Sequence, residues 1–137
     1  MLDSTDWQIL RLLQTDSRLQ WQEIGKLVHL TGQAVSARIR RMQEAGIIQA
    51  FTVTLDHTKL GRPLLAFITV FMTSSNHAAF QRFIKNQPGI EEIHRVSGEG
   101  CYWLKARMEN QQQLNTLLDG ILAHGNYKVT LSIDRIV

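Results

Sequence analysis

The apolar positions fall into two regimes along the chain. Over the first fifty residues they recur at spacings of three and four, the period of a helix with one buried face; beyond residue 63 they form runs and alternations typical of strands. Ile9, Leu10 and Leu13 define the stripe of a first helix, from about Ser4 to Gln14, with Arg11 and Gln14 pointing outward. Asp3 and Asp6 stand at its start, where acids satisfy free N–H groups and the partial positive charge of the helix end. Trp21 to Val28 repeats the pattern with Ile24, Leu27 and Val28; Gln20 occupies its cap position, and Leu19 can staple onto Ile24. His29-Leu30-Thr31 then leaves room only for a tight turn. Thr31 can cap a third helix from Gly32 to Ala45, which Gly46 ends.

Two short helices joined by a tight turn predict a helix-turn-helix. Val35, Ile39 and Met42 share one side of the third helix and should pack on the first two. The other side presents Gln33, Ser36, Ala37 and Arg40, flanked by Arg38 and Arg41. Gln and Arg can pair with base edges, Ser can reach a base or a phosphate, and Ala can touch a thymine methyl, while arginines supply phosphate affinity. The net charge, +3 from 15 basic and 12 acidic residues, is a weak argument for nucleic acid by itself. Focus matters more than total: Arg38, Arg40 and Arg41 fall within one helical turn. The plain alternative is a solvated helix face, and the position after a tight turn and the small residues between the charges argue against it.

From Ile47 to Leu55 the chain turns β-rich, with Phe51, Val53 and Leu55 alternating against Thr52 and Thr54, so a strand is predicted. Turn residues from Asp56 to Pro63 follow. The expected organisation is a (winged) helix-turn-helix domain over residues 1–50, a β linker or hinge over 51–62, and a second domain over 63–137. That second domain reads as strand Leu64–Met72, helix Ala78–Asn86, strands Ile90–Val96 and Cys101–Met108, helix Gln112–Ala123 and strand Lys128–Val137. The order is the ferredoxin-like βαββαβ pattern, a four-stranded antiparallel sheet with both helices on one face, making the chain α+β overall. Leu64 to Met72 barely alternates, so both of its faces should leave water. Helices cover one face; a second copy of the sheet is the simplest cover for the other, and a two-fold dimer is predicted.

Composition, 44% apolar and 20% charged, fits a folded globular protein rather than a disordered one. No apolar run reaches the roughly 20 residues needed to span a bilayer. The acidic start, Met1 to Asp6, is unlike a signal peptide, and a cytoplasmic location is expected. The lone Cys101 excludes an internal disulfide, and His57, His77 and His124 lack metal-ligand spacing, so neither a metal nor another cofactor is expected. His94, Glu99 and Cys101 can be drawn as base, acid and nucleophile, but no orienting third group accompanies them, and enzymatic activity is not expected.

Ser97-Gly98-Glu99-Gly100-Cys101-Tyr102 joins two predicted strands. Its paired glycines can turn sharply and expose N–H groups to a carboxylate, or simply make a hairpin. It is no dinucleotide fingerprint, because a strand follows. Thr130 and Ser132 share one side of the last strand, which polar alternation alone also explains.

Leu2-Asp3, Asp6, Ile9-Leu10, Asp16, Arg18, Glu23-Ile24, Leu30-Thr31, Val35, Arg38-Ile39, Arg41, Gly46 to Ile48 and Leu60-Gly61 together resemble the Lrp/AsnC, or feast/famine, family of transcriptional regulators. The resemblance implies a regulator of double-stranded DNA with Thr31, Gln33, Ser36, Ala37, Arg38, Arg40 and Arg41 at the interface. It further implies a small-molecule effector, an amino acid in this family, held by Ser97 to Tyr102 with Thr130 and Ser132 where dimers meet, and assembly into larger rings such as an octamer. Three residues depart from the pattern: Gly25 replaces an alanine, His29 a turn glycine and Cys101 an aspartate. The last keeps a second reading open, a DNA-organising protein that ignores metabolites.

Overall fold

The computed structural model describes residues 1–137, which divide into two compact units, Met1–Leu55 and Asp56–Val137. The first unit holds three helices: α1 (Ser4–Thr15), α2 (Trp21–Val28) and α3 (Gly32–Glu44). α1 starts in a full capping box: the Asp3 carboxylate accepts from the Asp6 N–H at 2.8 Å, and the Asp6 carboxylate accepts from the Asp3 N–H at 3.1 Å. Thr31 caps α3 by accepting from the Ala34 N–H at 3.1 Å, whereas Gln20 gives α2 no side-chain cap. α3 ends in a Schellman motif, with Gly46 at φ 74°, its N–H donating to Gln43 O at 3.0 Å and the Ile47 N–H donating to Met42 O at 2.9 Å.

Ile9, Leu13, Ile24, Val28, Val35, Ile39 and Met42 form the core of this unit. Leu27, expected in the stripe of α2, is 60% exposed; Gly25 takes the inward place beside Ile24 and Val28. The reason lies in the turn. His29 adopts the left-handed conformation (φ 61°, ψ 43°), and the Leu30 N–H donates back to Gly25 O at 2.8 Å. A Cβ on Gly25 would collide with the Leu30 carbonyl oxygen, so the two departures in α2 and its turn belong to one arrangement.

The strand expected between Ile47 and Leu55 is not formed, and no wing follows α3. A strand needs a hydrogen-bonded neighbour, and this chain offers none beside the segment. Residues 47–54 instead line a groove with Trp7, Leu10, Gln14 and Ser17 of the same unit, and the Ser17 hydroxyl donates to Thr52 O at 3.2 Å.

The second unit is an antiparallel sheet in the order β2-β3-β1-β4, formed by β1 (Leu64–Met72), β2 (Ile90–Arg95), β3 (Tyr102–Met108) and β4 (Gly125–Leu131), with α4 (His77–Lys85) and α5 (Gln111–Ile121). This is the expected ferredoxin-like order. Ala66, Ile68 and Val70 of β1 alternate into a core with Leu104, Ala106, Phe80, Ile84, Leu114 and Ile121. β4 begins before and ends well short of the expected Lys128–Val137. Its ladder starts at Gly125 opposite Met72 and runs out at Leu131 opposite Ala66; only Leu65 and Leu64 of β1 remain beyond that point, so β1 offers no partner to residues 134–137. No helix is long and apolar enough to cross a membrane.

Candidate nucleic-acid interface

α3 divides into three sides. Val35, Ile39 and Met42 are at most 1% exposed and fix the rotation of the helix against its unit. That leaves Gln33, Ser36, Ala37 and Arg40 on a groove of about 790 Å3, shared with Thr31 and Gly32 and with Gln20, Trp21 and Gln22 at the start of α2. Five of the seven residues expected at a DNA interface, Thr31, Gln33, Ser36, Ala37 and Arg40, therefore meet on one open surface. Arg40 forms no ion pair there, so no acid of the unit occupies its guanidinium.

Arg38 and Arg41 lie on the remaining side. Arg38 Nη1 reaches the Asp3 carboxylate at 2.7 Å and Asp6 Oδ1 at 3.0 Å, and Arg41 Nη2 stands 3.4 Å from Asp6 Oδ1. Asp6 is 1% exposed, so Arg38 balances a buried carboxylate and ties α3 to the cap of α1. Its hydrogen bond, then that from the Asp6 N–H, holds the Asp3 carboxyl below its ordinary range. Arg38 thus spends its Nη1 on Asp3 and Asp6 within the unit, unlike Arg40. Arg41 remains largely exposed, with a side chain 64% accessible. Sequence reasoning missed Trp21, whose only signal was an aromatic residue at a helix start outside the buried stripe.

The expected effector residues do not converge within one chain. Gly98 and Gly100 take positive φ of 91° and 79°, and a Cβ on Gly100 would run into Thr69 and Val70. The Cys101 N–H donates to Val70 O at 2.7 Å, while Thr130 pairs with Phe67 and the Ser132 N–H donates to Leu65 O. With a rise of about 3.3 Å per residue, these two groups lie roughly 10–17 Å apart along β1 and on opposite sides of it. Tyr102 is 1% exposed; its hydroxyl lies 2.8 Å from His77 Nδ1 and accepts from Gln81 Nε2 at 3.0 Å, so its side chain belongs to the core. Glu99 and Ser97 are exposed, and Glu99 meets Lys128 at 3.6 Å. His94 bonds Glu92 at 3.1 Å and pairs across the ladder with Trp103, not with Cys101, so no base and nucleophile are brought together.

The sheet face away from the helices carries Leu65, Phe67, Thr69 and Phe71 of β1. Phe67 stacks on Trp103 with centroids 5.4 Å apart. A β-bulge between Ile90 and Glu92 turns Glu91 and Glu92 together toward Lys105, at 3.7 and 3.6 Å, and the Arg107 Nε donates to Glu91 at 3.0 Å. Val70, in contrast, points into the core and has no part in this face.

A family model of the AsnC-type helix-turn-helix domain matches residues 2–43, and one of the Lrp/AsnC ligand binding domain matches residues 65–136. The chain is similar to the HTH-type transcriptional regulator LrpB of Bacillus subtilis, 44% identical over 135 residues, covering 98% of this chain and 91% of that protein. Among solved structures it resembles B. subtilis LrpC, with a TM-score of 0.95, 27% identity and coverage of 100% and 98%. It also resembles the transcriptional regulator NMB0573 of Neisseria meningitidis in complex with L-Met, with a TM-score of 0.92, 25% identity and coverage of 100% and 93%.

Proposed function

The chain belongs to the Lrp/AsnC family of DNA-binding transcriptional regulators, which are not enzymes, and from that premise we propose how it reads DNA and what modulates it. α3 enters the major groove with Gln33 and Arg40 toward base edges, Ser36 and Ala37 close to the groove floor, and Arg41 on the phosphates. The single observation that carries this is the exposed groove surface of α3 opposite its buried Val35/Ile39/Met42 side.

Two copies joined through the open sheet face would present two such helices to half-sites about one turn of DNA apart. Leu65, Phe67, Phe71 and Trp103 supply the apolar centre that supports this homodimer. Larger rings of dimers would bring the loop Ser97–Cys101 of one chain toward Thr130 and Ser132 of another, since one chain alone holds them apart. An amino acid is the effector proposed for that junction, supported by the L-Met complex of NMB0573. The working compartment is the cytoplasm, where DNA is. Residues 51–62 act as the hinge between DNA-binding and sensing domains.

A thiol at Cys101 cannot hold an amino group as a carboxylate would, which favours the second reading, a DNA-organising protein without an effector. A duplex selected by the protein from a random pool, titrated with and without an amino-acid mixture, separates the readings. Arg40→Ala should weaken that duplex about tenfold or more and random DNA much less, and Arg41→Ala should weaken both alike and flatten the salt dependence. Equal binding by Arg40→Ala and the parent chain would overturn the role of α3. Affinity and melting temperature that ignore every amino acid would leave the second reading.

A further inference from the structure

Trp21 is a large apolar side chain left in water without an evident reason in the fold. It is 49% exposed and stands outside the seven-residue core of its unit, although it is the first residue of α2. Its place is not arbitrary. Gly32 packs so closely on α2 that a Cβ there would come within 3.1 Å of Gln22 Cγ, so the first turns of α2 and α3 form one surface. Trp21 shares that surface with Gln33, Ser36, Ala37 and Arg40.

The dimensions of DNA say what it meets. A helix with its side chains is about 10–12 Å across, and the major groove of B-DNA is about 12 Å wide. α3 therefore fills the groove, and a side chain standing beside α3 on the same surface is met by the strand that borders the groove. We propose that Trp21 contacts DNA directly, its indole lying against the sugar–phosphate backbone at the groove edge. The apolar ring face covers a deoxyribose, and the indole N–H donates to a phosphate oxygen. Trp21 thus sets the position of α3 on the duplex without reading a base. The inference deepens the proposed reading and rests on α3 being the helix in the groove.

Trp7 is the internal control. It is similarly exposed, at 54%, but lines the other groove of the unit with Phe51 and Val53. The chain holds three tryptophans, so the variant Trp7→Phe/Trp103→Phe leaves Trp21 as the sole emitter. Saturating this variant with the selected duplex should shift its emission and shield it from acrylamide. In the full-length parent, Trp21→Ala should weaken selected and random duplexes alike by about tenfold. It should leave the slope of affinity against salt unchanged, because no charge is lost. Trp7→Ala should bind as the parent does, and circular dichroism melts check that each variant is folded.

Should the double variant fail to fold, 5-fluorotryptophan incorporated in the parent chain gives one fluorine resonance per tryptophan, and only that of Trp21 should move on adding duplex. Unchanged emission, quenching or resonance of Trp21 in a saturated complex overturns the inference. If Arg40→Ala is impaired while Trp21 stays silent, only the inference falls; if neither responds, the groove reading of α3 falls with it.

Discussion

The two units each turn one face away from their cores, and the faces are built on opposite plans. On α3 the outward residues are mostly polar, and Arg40 forms no ion pair. On the sheet the centre is aromatic, with Phe67 stacked on Trp103, and the surrounding charges neutralise one another: Glu91 and Glu92 are matched by Lys105 and Arg107. A surface that receives a phosphate backbone keeps its positive charge unspent, because release of counterions on binding supplies the affinity. A surface that receives a neutral protein partner gains from apolar area and loses from any stranded charge. The difference between the faces thus says what kind of molecule suits each.

The largest expected break in this contrast is Phe67→Glu, which sets a carboxylate in the apolar centre. Dimer affinity should fall by about 4 kcal/mol, roughly a thousandfold, with the helical unit still folded. Sedimentation equilibrium reads this directly, and an unchanged dimer would move the interface elsewhere. Val70→Glu cannot serve as the test, since Val70 is fully buried and its loss would unfold the sheet.

Next comes Arg38→Met, which strands the buried Asp6 carboxylate. The first unit should lose about 3 kcal/mol in a urea melt, while dimerisation is untouched. That outcome would separate Arg38 from Arg40, two residues away on the same helix. A smaller and opposite effect is expected of His29→Gly. It relieves the left-handed conformation of a residue with a Cβ and should stabilise the first unit by about 1 kcal/mol in thermal melts. Loss of stability instead would mean that the imidazole has a role of its own.

The smallest effect concerns acid. Asp3 is held below its ordinary carboxyl pKa by Arg38, so its contribution is complete above about pH 4 and is lost as the pH falls through the lowered value. Asp3→Asn should flatten that acid limb of the first unit's melting curve. Glu92, lowered chiefly by His94, gives the second unit its own weak acid limb with the same sign.

Much of the fold was legible because its signals are local. Trp21–Val28 carries a helical period, Leu64–Met72 is a nearly continuous apolar run of strand length, and Thr31 and Gly46 mark the limits of α3. Phe51–Leu55 misled, because alternation records only that a segment suits a strand, not that a partner lies beside it. β4 was misjudged at both ends, since its ladder is set by pairing with β1, more than fifty residues earlier in the chain, from Gly125 opposite Met72 to Leu131 opposite Ala66. In the candidate site, the shared surface of Gln33, Ser36, Ala37 and Arg40 was legible from helical spacing alone, whereas the burial of the Tyr102 side chain appears only in its alternation into the core.

What the sequence determined by itself is the periodicity of each segment and the side of α3 that must be dry, because burial of Val35, Ile39 and Met42 follows from spacing along one helix. Which arginine is free and which is bound was decided only by tertiary structure. Asp3 and Asp6 lie thirty-odd residues away from Arg38, and only the packing of α1 on α3 brings opposite charges within hydrogen-bond reach.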